Sequence, residues 1–248
     1  MNNRAIILLS GGLDSVVSIA QAKSNGLDFV LALTFDYGQK SFKKELKASK
    51  EIAGFYNIKH EVIKLDWLKD ITSTSLVAQC DVPDISVDAL DNTQVTNDSM
   101  KNVWVPNRNG LFINIAASYA DSFGYGYIVI GANKEEAATF SDNSEQFIND
   151  MNQVLKTSTN DDSFFKGDES IKSDIYEKDG DYHIEMDVPG FDKNEIVKKA
   201  VELNAPLHLI NSCYNDTHKH CGRCESCNRL KRALEHNGYL NIIKELFE

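Results

Sequence analysis

The stretch that decides the fold is Ala5-Ile6-Ile7-Leu8-Leu9-Ser10-Gly11-Gly12-Leu13-Asp14-Ser15, near the start of the 248-residue chain. Its first five residues are apolar without alternation, which is typical of a strand buried on both faces. A short turn rich in serine and glycine follows, and apolar residues then recur at helical spacing through Val16, Val17 and Ile19. Strand, tight turn and helix in this order predict the first βα unit of a doubly wound α/β sheet.

The turn has the chemistry of an anion site. A helix N-terminus leaves backbone N–H groups unpaired and carries partial positive charge, so it favours phosphate groups. Gly11 and Gly12 let the backbone approach the anion, and Ser10 and Ser15 add hydroxyl donors. Asp14 is suited to carry Mg²⁺ or to accept a hydrogen bond. The pattern SGGxDS lacks the ending of a Walker A loop. It resembles the pyrophosphate-binding loop of ATP pyrophosphatases; a turn that merely connects strand to helix is the alternative.

Composition and charge narrow the functional classes. Hydrophobic residues make up 42% of the chain and charged residues 25%, which is ordinary for a globular domain. The 26 basic and 37 acidic residues give a net charge of −11, which favours a small-molecule substrate over bulk nucleic acid. No apolar stretch approaches the roughly 20 residues of a membrane span, and no secretory leader is recognisable. We therefore expect a cytoplasmic protein without membrane contact.

Polar segments follow two more predicted strands. The strand over 29–35 ends in Asp36-Tyr37-Gly38-Gln39-Lys40, and the strand Tyr127–Ile130 ends in Gly131-Ala132-Asn133. Arg108 opens a predicted helix over 111–123. Because ligands in such folds lie beyond the carboxyl ends of the strands, these segments are expected to gather into one site. An arginine there is suited to bind a carboxylate or phosphate through two parallel hydrogen bonds, a surface arginine being the alternative.

The other predictions for the first 160 residues are local. We expect an amphipathic helix over 42–55, a short strand over 62–65 and a helix over 145–155. Residues 71–102 are rich in Thr, Ser, Asp and Asn without a sustained period, which predicts a long loop with at most one short turn, such as a lid or binding loop. His60 is expected at the surface or at a strand edge, and Cys80, in the long loop, is expected to be an ordinary thiol.

Four of the five cysteines form the pattern C-x7-C-x2-C-x2-C, at Cys213, Cys221, Cys224 and Cys227. Four thiolates offer a closed tetrahedral shell for Zn²⁺, which is the arrangement of a structural site. A disulfide framework is one alternative, but nothing in the sequence indicates secretion. A [4Fe–4S] cluster is another, because thiolates alone do not exclude it. His218 and His220 are expected at the surface, and one helix is expected over 227–246.

Five motifs in order resemble one family. They are SGGLDS, FDYGQK, VPNRN, GANKEEAATFSDN and SCYNDTHKHCGRCESCNRLKRA, and together they resemble the 7-cyano-7-deazaguanine synthase family of the PP-loop superfamily. The resemblance covers about residues 4–160 and 192–240. It implies a Rossmann-like fold of the adenine nucleotide alpha hydrolase type and an ATP-dependent C–N ligase. Such an enzyme activates the carboxylate of 7-carboxy-7-deazaguanine and, with ammonia, makes the nitrile preQ0 on the path to queuosine and archaeosine.

The resemblance also implies roles for single residues. The cysteine pattern would hold Zn²⁺, and the glycine-rich loop would hold ATP with Mg²⁺. Catalytic roles are expected for Ser10, Asp14, Ser15 and Arg108. The implied ATP-binding residues are Leu8, Leu9, Ser10, Gly11, Gly12, Leu13, Asp14, Ser15, Val16, Val17 and Ser18. The implied substrate region includes Asp36, Gln39, Lys40, Arg108, Asn109, Gly131 and Asn133.

Residues 163–191 depart from the family pattern, which resumes at Asp192. Apolar and polar residues alternate from Tyr182 to Val188, which predicts a half-buried strand. Asp179-Gly180 before it is a hairpin signal, with Ile171–Glu177 as the expected partner strand. With the VPGF turn that follows, this stretch resembles the opening strands of a small heat-shock protein (α-crystallin) domain. A natural insertion, a recombinant junction and an artificial chimera all remain consistent with it.

The expected organisation has three parts. An ATP-binding α/β domain over 1–160 is followed by a β-hairpin insert over 163–191, and helices with the cysteine site over 192–248 complete the same domain. Asp192 is predicted to cap a helix that begins at about Lys193. A lone hairpin is marginally stable, so it must bury its apolar face against the domain or against a second subunit, which would give a homodimer.

Other functions share parts of the pattern. Another PP-loop adenylating enzyme, such as one for tRNA thiolation, would share the SGGLDS loop. An enzyme that attaches a deazapurine to a macromolecule would keep both the loop and the cysteines. An inactive chimera would act only as a binding or chaperone-like module. The acceptor that triggers ATP consumption distinguishes these functions from the ligase.

Overall fold

A computed structural model of the chain describes residues 3–77, 81–137, 140–159, 183–186 and 190–247. Within these ranges five parallel strands form one sheet in the order β3-β2-β1-β4-β5. The strands are β1 Arg4–Leu8, β2 Asp28–Asp36, β3 Lys59–Lys64, β4 Tyr127–Ile130 and β5 His183–Met186. The chain moves outward from β1 to β3 and then returns to β4 on the other side. The strand order therefore changes direction between β1 and β4, which is the switch point where doubly wound sheets bind ligands.

Helices cover both faces of the sheet, as the sequence predicts. They are α1 Leu13–Ser24, α2 Phe42–Phe55, α3 Asp66–Asp70, α4 Thr93–Val103, α5 Arg108–Phe123, α6 Lys134–Ala137, α7 Glu145–Ser158, α8 Lys193–Glu202, α9 Glu225–His236 and α10 Leu240–Leu246. No helix in the described ranges is both long and apolar enough to cross a bilayer.

The central strand β1 supplies side chains to two separate cores. Ala5 and Ile7 are fully buried in a core shared with α1, α2, α8 and α9. Ile6, which points the other way, is fully buried in a core shared with α5 and α7. Successive residues of a strand face opposite sides of a sheet, so burial on both faces requires the unbroken apolar run that the sequence shows.

The segment predicted as a long loop over 71–102 contains an 11-residue helix, α4, so that prediction is wrong over its second half. The Asn92 side chain caps α4 by accepting hydrogen bonds from the N–H groups of Gln94 at 3.0 Å and Val95 at 3.3 Å. The helix is polar, so it lacks the apolar period by which amphipathic helices are recognised. The segment also docks on the C-terminal helices, because Ser99 Oγ donates to Glu225 Oε2 at 2.6 Å. Cys80 lies outside the described residues.

The single helix predicted over 227–246 is instead two helices, α9 and α10. Gly238 between them has a φ of +76°, in the left-handed region that terminates helices and favours glycine. The N–H of Tyr239 then donates to the carbonyl oxygen of Leu234 at 2.9 Å, which closes the turn. The Asn-Gly pair at 237–238 was the available signal for this break.

Part of the departing segment joins the main sheet. Strand β5 lies inside the strand predicted over 182–188 and pairs in parallel with β4, with His183 beside Tyr127 and Met186 beside Ile130. The predicted partner strand Ile171–Glu177 and the turn Asp179-Gly180 lie outside the described residues. The hairpin, the domain boundaries and the resemblance to a small heat-shock protein domain therefore stay predictions.

The helix after this segment begins where the sequence predicts. Asp192 Oδ1 accepts a hydrogen bond from the N–H of Glu195 at 2.9 Å, and Glu195 Oε2 accepts one from the N–H of Asp192 at 2.8 Å. This reciprocal capping box fixes the first turn of α8. It thereby places Lys193, the first residue of α8, beyond the carboxyl end of β5.

Candidate nucleotide and metal site

A cavity of about 230 Å³ opens at the carboxyl edge of the sheet, at the switch point between β1 and β4. Its walls come from the ends of β1, β2 and β4, from the turn after β1, from the first turn of α5 and from the segment Asn211–Tyr214. Of the eleven residues predicted to bind ATP, Leu8, Leu9, Ser10, Gly12, Asp14 and Ser15 line this cavity. Gly11 lies in the turn, and Leu13, Val16, Val17 and Ser18 are buried in the helix behind it.

The turn after β1 is held in a fixed conformation. The hydroxyl of Ser15 donates to the carbonyl oxygen of Gly12 at 3.0 Å, and the N–H of Gly12 donates to Ser10 Oγ at 3.3 Å. Gly11 has a φ of +78°, and a Cβ atom built there would lie 2.8 Å from the Cβ of Ala48. Glycine is therefore required at position 11 both by its backbone conformation and by the closeness of α2.

Gly131 serves a second close approach. A Cβ atom built at this position would lie 2.5 Å from the backbone nitrogen of Ser15, so β4 ends in direct contact with the start of α1. Gly131 was predicted as a substrate-region residue, and it does line the cavity. Its geometry shows that it also sets the distance between β4 and the glycine-rich turn.

Lys193 is a site residue that the sequence analysis missed. Its Nζ lies 2.5 Å from Asp14 Oδ2 and 3.6 Å from Glu136 Oε1, and its side chain is only 8% exposed. Burial lowers the pKa of the Lys193 ammonium, but the carboxylates of Asp14 and Glu136 outweigh this effect and raise the pKa above its usual value. Lys193 is therefore a fixed positive charge next to the anion-binding turn. Its place at the start of a capped helix was a local signal, but that signal does not indicate the contact with Asp14.

Arg108 begins α5 and lines the same cavity, as predicted. Its Nη1 donates to the hydroxyl of Tyr37 at 3.3 Å. Burial raises the pKa of Tyr37, so this phenol is a neutral partner at physiological pH. No described carboxylate lies within ion-pair distance of the guanidinium, which leaves its charge available to an anionic ligand in the cavity.

Aromatic side chains form the apolar wall beside Arg108. The rings of Phe35 and Phe112 are stacked, with centroids 3.8 Å apart and planes 5° from parallel. Tyr37 tilts against Phe112 at 5.9 Å. A wall of this kind suits a flat heterocycle, because aromatic faces bury large apolar area in stacked arrangements.

The other predicted substrate residues divide into two groups. Gln39 and Asn109 line the cavity, but their amides already bond to protein: Gln39 bonds to the backbone of Phe35 and Tyr37, and Asn109 to the carbonyl of Asp142. The remaining three, Asp36, Lys40 and Asn133, are not among the residues that line the cavity. Asn133 is fully buried, and its Oδ1 accepts the N–H of Glu136 at 2.9 Å.

The segment before the first cysteine forms the wall opposite the glycine-rich turn, and the sequence analysis did not single it out. The N–H of Asn211 donates to the carbonyl oxygen of Gly11 at 2.8 Å. The N–H of Leu13 donates to Ser212 Oγ at 3.3 Å, across 199 positions of the sequence. The turn is thus held from both sides, by its own helix and by residues next to Cys213.

The four cysteines converge as the spacing predicts. Their sulfur atoms all lie within 4.8 Å of one another, and those of Cys221 and Cys227 are 3.8 Å apart. A tetrahedral ion with metal–sulfur bonds of about 2.3 Å requires sulfur–sulfur distances of about 3.8 Å, so the geometry fits one zinc ion. The N–H groups of Asn215 and Cys224 donate to the sulfurs of Cys213 and Cys221 at 3.4 Å each, which supports thiolate charge.

The two alternatives for the cysteines fit less well. All four are free thiols, which excludes a disulfide among them in this structure. An iron–sulfur cluster would separate its four thiolates more widely than a single ion does, because the cluster itself lies between them.

The prediction that His220 is a surface residue is wrong, whereas His218 is exposed. His220 is only 3% exposed, and its Nε2 accepts the N–H of Ser212 at 3.0 Å. Its Nδ1 faces the carbonyl oxygen of Leu246 at 3.2 Å, which requires the neutral tautomer with the proton on Nδ1. The imidazole therefore ties the segment beside the glycine-rich turn to the end of α10. The sequence His218-Lys219-His220 is polar throughout, so it gave no indication that His220 is buried.

The fold and the cavity define a doubly wound α/β protein with a ligand cavity and a glycine-rich turn at the switch point of its sheet. Comparison with known protein families identifies the family to which the chain belongs. The model of the family described as "Queuosine biosynthesis protein QueC" matches residues 4–238, so the chain belongs to this family.

Two relatives illustrate the similarity. A 7-cyano-7-deazaguanine synthase from Carboxydothermus hydrogenoformans is 47% identical over 232 residues, which are 93% of this chain and 97% of the relative. One from Methanobrevibacter smithii is 42% identical over 95% of this chain and 94% of its own. Among solved structures, that of NMN synthetase from Francisella tularensis aligns with 98% of this chain and 83% of its own, with a TM-score of 0.47 and 14% identity.

Proposed function

We propose that the protein is an ATP-dependent ligase that converts 7-carboxy-7-deazaguanine and ammonia into 7-cyano-7-deazaguanine. The family membership supports this proposal. The structural observation that carries it is the combination, in one cavity, of a phosphate-type turn and an arginine without a carboxylate partner among the described residues. ATP supplies the anion for the turn, and the acid supplies the carboxylate for Arg108.

The proposed reaction has two activation steps. A carboxylate oxygen of the substrate attacks the α-phosphorus of ATP, and pyrophosphate leaves. Ammonia then forms a bond to the carboxyl carbon, AMP departs with one oxygen, and a proton goes to solvent, which leaves an amide. The amide oxygen attacks a second ATP in the same way, and loss of AMP and of the remaining nitrogen-bound protons gives the nitrile. Such a sequence needs no covalent enzyme intermediate, so the chain contributes positioning and charge stabilisation.

The chain offers distinct groups for each part of this chemistry. The N–H groups of the first turn of α1 beyond Leu13, with the hydroxyls of Ser10 and Ser15, would bind phosphate oxygens. The ammonium of Lys193 would stabilise the charge that builds up on the leaving pyrophosphate. Arg108 would hold the substrate carboxylate, and the Phe35–Phe112 wall would pack against the deazapurine ring.

The carboxylates beside the turn fit a magnesium ion that accompanies ATP. Asp14 Oδ1 is buried without a hydrogen-bond partner among the described residues, and Glu136 lines the same cavity. Magnesium is commonly bound by one or two carboxylates together with substrate phosphates. When bound there, it would neutralise phosphate charge during transfer. The four cysteines would hold zinc in a structural role.

The test is mass spectrometry of a reaction that contains the purified chain, ATP, 7-carboxy-7-deazaguanine and ¹⁵N-labelled ammonia. We expect the labelled amide first and the labelled nitrile later. ATP consumption that requires tRNA instead of the free acid would indicate a tRNA-modifying enzyme. Label recovered in a protein or nucleic-acid fraction would indicate attachment to a macromolecule. Aggregation suppression without ATP turnover would indicate the chaperone-like module.

We further infer a cytoplasmic location and the absence of bulk nucleic-acid binding, which the substrates and the net charge of −11 support. A homodimer formed through the edge of the sheet is the oligomeric state we propose to test, by light scattering.

A further inference from the structure

The side chain of Asn211 makes no hydrogen bond within the part of the chain that the structure describes. The residue is only 7% exposed and lines the cavity beside the glycine-rich turn. Both its Oδ1 and its Nδ2 are buried without a hydrogen-bond partner among the described residues. Burying an amide without hydrogen bonds costs stability, so proteins rarely retain one without a partner. Because Asn211 is among the residues that line the cavity, a ligand bound there is a candidate partner for its amide.

The backbone on which this amide stands is rigid. The N–H of Asn211 is bonded to the carbonyl oxygen of Gly11 at 2.8 Å, and the next N–H, of Ser212, to His220 Nε2 at 3.0 Å. A Cβ atom built on Gly12 would lie 3.8 Å from both the carbonyl oxygen of Asn211 and Ser212 Oγ. The amide is therefore positioned next to the turn that is proposed to bind the phosphates of ATP, where the activated carboxyl carbon must also lie.

The charged groups in this part of the cavity already have other roles. The N–H groups of the turn, Lys193 and Arg108 favour anions, whereas the carboxylates of Asp14 and Glu136 face Lys193 and the proposed magnesium ion. Ammonia needs an acceptor for its N–H bonds. A carboxylate would favour the ammonium ion, which has no lone pair for attack. A neutral amide oxygen accepts from ammonia without favouring its protonation, and its NH₂ group can donate to an oxygen of the activated carboxyl group.

We propose that Asn211 binds the attacking ammonia through Oδ1 and the activated carboxyl group through Nδ2, and so orients the two reactants. This inference rests on the proposed function and deepens it, because it assigns the nucleophile site of the same cavity. The residue orients ammonia and takes no proton, since an amide is not a base at physiological pH.

The test separates the two halves of the reaction. Exchange of labelled pyrophosphate into ATP requires the acid but no ammonia, whereas amide formation requires both. For Asn211→Ala we expect a KM for ammonia raised about tenfold or more, the effect of one lost hydrogen bond near 1.4 kcal/mol, and a smaller loss of exchange, because exchange depends on the Nδ2 contact alone. Asn211→Asp is expected to require a higher pH for the same rate, because its carboxylate favours ammonium.

Melting temperatures show whether Asn211→Ala still folds like the wild type. The Asn211 side chain makes no hydrogen bond to the described residues, and the backbone bond to Gly11 is kept in alanine, so the melting temperature of Asn211→Ala should stay within about 2 °C of the wild type or rise. Asn228→Ala is the matched control, because Asn228 Nδ2 donates to the carbonyl oxygen of Ile85 at 2.6 Å, away from the glycine-rich turn. It should lower the melting temperature and leave the KM for ammonia unchanged.

Different results would disprove the role of Asn211 and the proposed function. An unchanged KM for ammonia in Asn211→Ala, or an equal loss of exchange and amide formation, would disprove the role of Asn211 in binding ammonia. Absence of acid-dependent exchange in the wild type would instead disprove the proposed function.

Discussion

The ammonium of Lys193 lies 2.5 Å from Oδ2 of Asp14, although 179 positions of the sequence separate the two residues. The contact joins the first turn of α1 to the first turn of α8, and it places a buried positive charge against the loop proposed to bind ATP. It also joins the loop to the helix that follows β5 along the chain.

Replacement of Lys193 by methionine tests this contact. The change leaves the Asp14 carboxylate buried near Glu136 without its counter-charge, and removal of one partner of a buried pair is strongly destabilising, by about 3–5 kcal/mol in well-buried cases. We expect a lower melting temperature and an ATP Kd raised at least about tenfold, both measurable by calorimetry. Lys199→Met, on the same helix but in a surface pair with Glu202 at 3.8 Å, should change neither. ATP affinity equal to that of the wild type would show that Lys193 serves the fold alone.

The loop itself is tested by Ser10→Ala and Asp14→Ala. Each removes a polar group at the anion-binding turn, and loss of one preorganised group of this kind typically costs about 10²–10³ in kcat. Circular dichroism should show an intact fold for Ser10→Ala, because Ser10 is exposed. Ser24→Ala, at the far end of α1, is the matched control. Activity within a few-fold of the wild type in both loop variants would exclude the assignment of this loop to ATP.

Arg108→Met should act on the acid and not on the nucleotide. The variant loses the guanidinium proposed to bind the substrate carboxylate, so we expect the KM for 7-carboxy-7-deazaguanine to rise by about 10–100-fold, the effect of one lost charged hydrogen-bond pair. The Kd of ATP should stay within about twofold. Arg232→Met, which removes a surface pair with Asp91, should leave both constants unchanged. A rise in the ATP Kd without a rise in the KM for the acid would show that Arg108 binds ATP and not the substrate carboxylate.

Cys224→Ser should release the metal. We expect one zinc per chain in the wild type by elemental analysis, less in the variant, and a lower melting temperature. The ATP Kd should also rise, because Asn211 and Ser212, next to Cys213, contact the glycine-rich turn. Cys80→Ser, which changes the cysteine outside the pattern, serves as the control and should retain the zinc. Iron in the purified protein, or full stability without any metal, would contradict this prediction.

His60 predicts a pH dependence of stability. Burial lowers the pKa of His60 below its usual 6.5, and its Nε2 lies 2.8 Å from Oγ1 of Thr34, whose hydroxyl donates to Leu9. The unfolded chain therefore binds a proton at a higher pH than the folded chain, so this contribution to stability is present above pH 6.5 and is lost as the pH falls. When the pH is lowered from about 7.5 to about 5.5, the melting temperature of His60→Gln should fall less than that of the wild type. Equal losses would show that His60 does not contribute.

Prediction from the sequence succeeded where a local pattern of residues is compatible with only one local structure. The apolar run of β1, the glycine-rich turn, the cysteine spacing and the Asp192 capping box each determine their own structure, and each appears as predicted. Helix α4 was missed because its polar residues carry no apolar period, although Asn92 marks its start. The break at Gly238 was missed because apolar residues continue on both sides of it.

The residues that contact the glycine-rich turn from distant parts of the sequence were harder to predict than the turn itself. Nothing local to Lys193 indicates that it meets Asp14, and nothing local to His220 indicates burial, because both depend on how distant segments pack. Asn211 illustrates the same limit, since an asparagine between Ile210 and Ser212 looks like an ordinary turn residue. Such residues become visible only when the fold brings the C-terminal segment against the first loop.

The bonds that join Gly11 to Asn211 and Leu13 to Ser212 also bear on the order in which the protein is made. During synthesis the glycine-rich loop emerges early, but the residues that complete its far wall emerge about 200 positions later. The nascent chain must therefore hold an open, apolar-lined edge until the cysteine segment arrives, and contacts of such long sequence separation close slowly. A metal ion held by Cys213 and the other three cysteines would stabilise this late-formed wall, so metal supply during synthesis would affect the yield of folded protein.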